Sequence, residues 1–217
     1  MPFTDEQTRR NRYYFKNPAY SYADAIFLYS MLRLFKPKQL VEIGSGFSSA
    51  LTLDVNEKFL DDSMKITFIE PYPQILYNLF RDKDKKHTVI RSPVQLIPLD
   101  FFEGLREGDL LFIDSTHVSK IGSDVNYIYL EIFPRLKPGV LIHIHDVFPG
   151  FEYPPHWVYS GVSWNEQYLL RALLVGNQKF EILLIGNQMI ENERAWFKEK
   201  MPLCLKDQGG SIWLRSK

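Results

Sequence analysis

The chain has 217 residues in which 26 Lys and Arg balance 26 Asp and Glu. With no net charge, no whole-molecule field draws it to nucleic acid or to an anionic membrane, and a small or neutral partner is the better fit. The single cysteine, Cys204, excludes an internal disulfide and suits a reducing compartment. Met1-Pro2-Phe3-Thr4-Asp5-Glu6 lacks a signal-peptide pattern, and no apolar run approaches the roughly 18 residues of a membrane span, so the expected location is cytoplasmic. No Pro/Gly/Ser-rich linker interrupts the sequence, which reads as one α/β domain over 1–217.

In chain order, residues 1–38 read as an N-terminal helical cap: Ser21 is placed to cap a segment whose Ala25, Ile26, Tyr29, Leu32 and Leu34 recur at roughly helical intervals until Pro37. Short apolar strands then alternate with helices over 39–146. The expected strands are Gln39–Gly44, Lys65–Glu70, Thr88–Arg91, Asp109–Asp114 and Gly139–Asp146. The expected helices are Ser48–Leu60, Pro73–Asp82, Val94–Leu105 and Ser123–Arg135. That rhythm predicts a doubly wound, mostly parallel sheet covered on both faces. Val147–Ser163, with three prolines and two glycines, has no period and reads as a substrate loop. Residues 164–217 close the domain with helix Trp164–Val175, strand Phe180–Ile185, helix Glu191–Glu199 and strand Ser211–Arg215. The helical excursion leaves room for one closing strand to run antiparallel at the sheet edge.

Leu40-Val41-Glu42-Ile43-Gly44-Ser45-Gly46-Phe47-Ser48-Ser49 is the most informative stretch. A buried strand ends in a glycine turn that opens directly into a helix, where the backbone can pass close to a ligand and the helix start offers free N–H groups. A tight βα turn is the plainer reading. Glu42 inside an apolar strand needs a donor to offset its burial. Glu70 ends the next strand, where an acid accepts from ribose hydroxyls, or else serves as a helix-capping acid before Pro71.

Glu42-Ile43-Gly44-Ser45-Gly46 followed by Glu70 resembles motifs I and II of the class I S-adenosylmethionine-dependent methyltransferases. The blocks Phe112-Ile113-Asp114-Ser115-Thr116-His117, Gly122-Ser123-Asp124-Val125-Asn126, His143-Ile144-His145-Asp146 and Trp164-Asn165-Glu166-Gln167-Tyr168 resemble the methyltransferase-24-like subgroup. The resemblance runs from about residue 20 to 185. It implies a seven-stranded Rossmann-like sheet with S-adenosylmethionine across the C-terminal ends of the first strands. Gly44 and Gly46 would flank the methionine moiety, with Ser45 and Ser48 in the same cofactor set. Glu42 would contact the amino end directly or through water, Glu70 would hold the ribose, and Val94-Gln95 match the place where related O-methyltransferases contact adenine.

Asp114 and Asp146 end adjacent strands of a parallel sheet and so project over one edge, with His117 and His145 beside them. Methyl transfer to a hydroxyl requires the proton to leave as oxygen attacks, which makes His145 or His117 the candidate base. Asp114 is equally placed to contact the cofactor or to cap its own loop. The paired acids also resemble the divalent-metal site of catechol-type O-methyltransferases. Val147 stands where an amide or carboxylate is expected, so a Mg2+ site on Asp114 and Asp146 lacks a third ligand unless His117 or water supplies it, and histidine is a poor ligand for magnesium.

His143 reads as a hydrogen-bonded core or wall histidine, His87 as solvent-facing and His156 as a pocket-lining candidate. Tyr13, Tyr14, Phe15, Tyr20 and Tyr22 before the first strand, and Phe148, Phe151, Tyr153, Trp157, Tyr159 and Trp164 after the fifth, form an expected aromatic rim for a sugar, an aromatic acceptor or a lipid-linked headgroup. Packing of the cap, or a homodimer interface, is the alternative. Ser163 and Glu166 form a capping-box pattern, which leaves Asn165, Gln167 and Arg171 to face the acceptor. The reading is an S-adenosylmethionine-dependent O-methyltransferase acting on a small-molecule or glycan hydroxyl. The alternatives are a noncatalytic protein of the same fold, or a nicotinamide-dependent oxidoreductase whose fingerprint would place Ser49 where glycine or alanine is usual.

Overall fold

The computed structural model describes residues 1–217. Strands β1 (Gln39–Ile43), β2 (Lys65–Ile69), β3 (Thr88–Ile90), β4 (Leu110–Ile113), β5 (Leu141–His145), β6 (Phe180–Ile185) and β7 (Ser211–Ser216) form one seven-stranded sheet of order β3-β2-β1-β4-β5-β7-β6. The first five pair in parallel. Every residue of β4 and β5 is buried, as is all of β1 after its first position, because helices cover both faces of the sheet. Period-two alternation divides the apolar side chains. Leu40, Phe68, Phe112 and Leu141 enter one core, while Val41, Ile43, Leu111, Ile113 and Ile142 enter the other.

The expected doubly wound sheet is present, with one correction at its closing edge. Strand β7 is antiparallel to both β5 and β6 and lies between them, leaving β6 outermost. The packing explains the choice. Ile212, Trp213 and Leu214 are apolar on both faces of β7 and are buried, whereas most of β6 is only partly covered. The strand with two buried faces takes the interior slot.

Helices α1 (Tyr22–Phe35), α2 (Phe47–Phe59), α3 (Gln74–Leu79), α4 (Leu99–Glu103), α5 (Asp124–Tyr127), α6 (Pro155–Tyr159), α7 (Glu166–Leu174), α8 (Gly186–Asn192) and α9 (Arg194–Lys200) fill the connections. No helix is long and apolar enough to cross a membrane. The helix expected over 94–105 is broken at Pro98 into a short turn and α4. The one expected over 123–135 starts as α5, widens at Ile128–Ile132 and tightens at Phe133–Arg135, where Pro134 has no N–H to give. The helix expected at 191–199 is two, divided at Glu193, and Val147–Ser163 contains α6.

Residues 1–21, expected in a helical cap, contain no helix. They are pinned by Arg12, whose buried guanidinium bonds Asp54 (2.7 Å), Glu57 (2.7 Å) and Asp84 (2.7 and 2.8 Å). Tyr13, Phe15, Tyr20 and Tyr22 are core residues and not a rim. The turn they position is held by Asn17, whose side chain accepts from the amides of Ala19 and Tyr20 and donates to the carbonyls of Tyr14 and Tyr20. Ser21 precedes α1 but donates its hydroxyl to the Phe15 carbonyl, so it does not cap the helix.

Candidate active site

The strand order reverses between β1 and β4, and the C-terminal ends of those strands open a crevice, the usual place for ligands in such sheets. Gly44 follows β1 at φ 79°, and a side chain there would collide with the Asp114 carbonyl. Glycine is what lets the ends of β1 and β4 close together. Gly46 is extended, and the space a side chain would take is open. Between the ends of β1, β2 and β4 and the Pro93-Val94-Gln95 turn lies a cavity of about 390 Å³ lined by Gly44, Glu70, Gln95 and Asp114. Glu70 accepts from the amides of Ser45 (3.2 Å) and Tyr72 (2.7 Å), which aims its carboxylate at the rim.

Beneath the glycine turn, Glu42 has no exposed surface. Its Oε1 accepts from the hydroxyls of Ser48 (2.6 Å) and Ser49 (2.9 Å), and its Oε2 has no partner. Burial, opposed by those two hydroxyls, pushes its pKa up to about 8. Ser49 also accepts from the Gly46 amide, so the start of α2 rests on a neutral carboxyl group.

A second cavity, about 700 Å³, adjoins the first at Asp114 and lies beneath the 17–21 turn and the 147–163 segment; Asp24, His117, His145, Asp146, Trp157 and Trp164 line it. His117 Nε2 is 3.4 Å from both Asp114 Oδ1 and Asp146 Oδ2, and His145 Nδ1 is 3.5 and 3.4 Å from the same two atoms. Two of these residues hold uncommon backbone conformations, His117 at φ 59° and Asp146 at φ 57°. Such positions persist only where their surroundings over-determine them, and they cluster at functional sites. His117 is clamped by Glu166 Oε2 at 2.7 Å from Nδ1 and lies against the Trp164 ring, 4.2 Å between centroids.

Burial depresses the pKa of both imidazoles, but the surrounding acids outweigh it. Asp114, Glu166 and Asp146 push His117 up to about 10, and Asp146 and Asp114 raise His145 well above its usual range. Asp114 is held below the usual carboxylate range, its burial overridden by the charge of His145 and by contacts with both imidazoles. Burial raises Asp146. The acids around the two imidazoles thus favour their charged forms, and the four groups titrate as a coupled set.

Residues 41–147 match a family model described as a methyltransferase domain. Over that segment, just under half of its length, the chain is similar to methyltransferase domains. An uncharacterized protein of Archaeoglobus fulgidus is 38% identical over 106 residues, which are 49% of this chain and 48% of that protein, so the match spans about half of the relative's length. Among solved structures, the SAH-bound methyltransferase PaMTH1 of Podospora anserina superposes with a TM-score of 0.53 at 18% identity, covering 89% of this chain and 77% of that one. CmcI, described as CmcI-D160 Mg-SAM, superposes at 0.52 and 16% identity over 90% of this chain and 71% of its own. At these identities the likeness concerns the fold.

The sheet brings Asp114, His117, His145 and Asp146 together at one edge. Gly44, Glu70 and Gln95 share the smaller cavity; Glu42, Ser45, Gly46 and Ser48 do not line it, and Ser48 turns inward to Glu42. Gln95 donates to the Gly122 carbonyl (2.9 Å). Phe148, Trp157 and Trp164 supply aromatic wall to the larger cavity, and His156 lines it, whereas Tyr159 stands almost fully exposed. His143 has no hydrogen-bond partner and stacks on Phe112 (4.2 Å), and burial with the neighbouring charge of His145 keeps it neutral. His87 is partly buried and lines a surface pocket beside Tyr77 and Phe80.

The capping-box reading of Ser163 and Glu166 is corrected: Ser163 bonds the Gly161 carbonyl, and Glu166 is buried on His117 and Ser115. Asn165, Gln167 and Arg171 bond the backbone at Ser119, Phe148 and Gly150 and so tie loops together. Asp24 is a further site residue, absent from the sequence reading. Its carboxylate lies 3.4 Å from His145 Nε2 and accepts from the Gly210 amide (3.1 Å). An acid flanked by Tyr22, Ala23, Ala25 and Ile26 was the available signal.

Proposed function

We propose that this protein is an S-adenosylmethionine-dependent O-methyltransferase acting on a small-molecule or glycan hydroxyl, with residues 1–217 working as one unit. The observation that carries the proposal is the pair of cavities meeting at Asp114, one at the switch point of the sheet and the other around the Asp/His cluster. The residues present suit the donor. Glu70 retains lone pairs for ribose hydroxyls after accepting two amides, the surface over Gly46 is open, and a buried Ser45 hydroxyl has no partner.

When bound, S-adenosylmethionine supplies a methyl group on a sulfonium. The chain's contribution is alignment and proton handling. Trp157 and Trp164 offer flat apolar surface for the acceptor. The Asp/His cluster, whose N···O separations are 3.4 to 3.5 Å, is the coupled unit placed to take up the hydroxyl proton.

Calorimetry of S-adenosylmethionine binding tests the assignment. Glu70→Ala is expected to weaken donor affinity about tenfold or more, as loss of charge-assisted hydrogen bonds implies. Unchanged affinity in a folded Glu70→Ala variant would remove the donor from this crevice.

A further inference from the structure

Asp114, His145 and Asp146 each offer a donor atom within 4.8 Å of the other two at the end of β4 and β5, His117 Nε2 stands beside the two carboxylates, and the N···O spacing is not that of hydrogen bonds. The four N···O separations across the cluster are 3.4, 3.4, 3.5 and 3.4 Å, all to the same two oxygen atoms. A charge-assisted N–H···O bond is shorter, roughly 2.7–2.9 Å. His145 Nδ1 is buried and without a hydrogen-bond partner although it faces both carboxylates. Neighbouring ligands around an ion bound at roughly 2.0–2.3 Å stand roughly 3–3.7 Å apart, which is the spacing seen here.

The far nitrogen of each imidazole meets a carboxylate, Glu166 at 2.7 Å from His117 Nδ1 and Asp24 at 3.4 Å from His145 Nε2. Carboxylates behind metal-binding histidines orient the ring and direct its lone pair at the ion. The positive-φ backbone of His117 and Asp146 holds two of the donors in place. Magnesium takes oxygen ligands and dehydrates reluctantly, and a set with imidazole in it, and a second imidazole alongside, does not suit it.

We propose that Asp114, His145 and Asp146, with His117 alongside, bind a divalent first-row transition ion, manganese through zinc, in preference to magnesium. This deepens the methyl-transfer reading by naming the class of ion beside the acceptor, and it is measured without donor or acceptor. Metal-stripped protein is dialysed against Zn2+, Mn2+, Co2+ or Mg2+ singly and in competition, and bound metal is counted by mass spectrometry. The cobalt form is also followed by visible absorption.

One equivalent of transition ion is expected, retained against a hundredfold excess of Mg2+. Glu166→Ala is expected to weaken affinity about 10- to 100-fold. His145→Glu, which restores an oxygen donor, is expected to shift the competition toward Mg2+ at least tenfold. The proposal is overturned if wild-type protein binds no more transition metal than a folded His117→Ala/His145→Ala variant, or if equimolar Mg2+ displaces the ion. S-Adenosylmethionine titration in EDTA separates the two readings. Donor binding without metal binding refutes this inference alone, whereas absence of donor binding both in EDTA and with the ion restored refutes the methyl-transfer reading.

Discussion

Glu42 carries a sharp stability prediction because its environment and its sequence position pull in opposite directions. Its pKa in the fold is about 8, against 4.5 for an unstrained glutamate, and burial is the cause. Between those values the unfolded chain loses its proton while the folded chain keeps it. The folded state then binds more protons, so stability falls as pH rises, by about 1.4 kcal/mol per pH unit. Glutamine keeps the shape and still accepts from Ser48 and Ser49 but does not titrate. Its amide would sit where Oε2 has no partner, which costs about 1–3 kcal/mol independent of pH, so the slope is the diagnostic. From pH 5.5 to 7.5, Glu42→Gln is expected to gain up to about 3 kcal/mol on wild type, and about half that if water reaches the site. Urea unfolding of both proteins at pH 5.5, 6.5 and 7.5 measures it. Parallel stability curves would mean that Glu42 ionises in the fold much as it does in the unfolded chain.

Gly44→Ala should destabilise by about 2 kcal/mol or more, since it combines a positive φ with a collision against the Asp114 carbonyl; a thermal midpoint within a degree of wild type would contradict that geometry. Arg12→Ala leaves the buried carboxylates of Asp54 and Asp84 uncompensated. It is expected to cost about 3–5 kcal/mol and to hasten proteolysis within residues 1–21, read by limited digestion followed by mass spectrometry.

The alternation of short apolar strands with helices was enough to reach the sheet, because period-two and roughly helical spacing are local properties of the chain. The same locality explains why Asp114 and Asp146 could be placed together: they follow adjacent parallel strands in register, Ile113 opposite Ile144. Helix ends were less legible where proline and a local widening divided what periodicity had joined, as at Pro98 and Ile128–Ile132. Glu166 fitted a local capping pattern convincingly, and only its distance from His117 shows that the pattern is unused.

By itself the sequence determined the doubly wound core, the glycine turn before α2, and four chemically active groups at one sheet edge, since each follows from neighbours along a strand or across a register. The tertiary structure decided that β7 enters the sheet reversed, that the N-terminal aromatics pack inward, and that Asp24 and Glu166 stand behind the two histidines. Those outcomes join residues 49 to 121 positions apart, such as Glu166 with His117 and Asp24 with His145. Which distant segments meet is settled by competition for buried surface over the whole chain, and no local pattern records it.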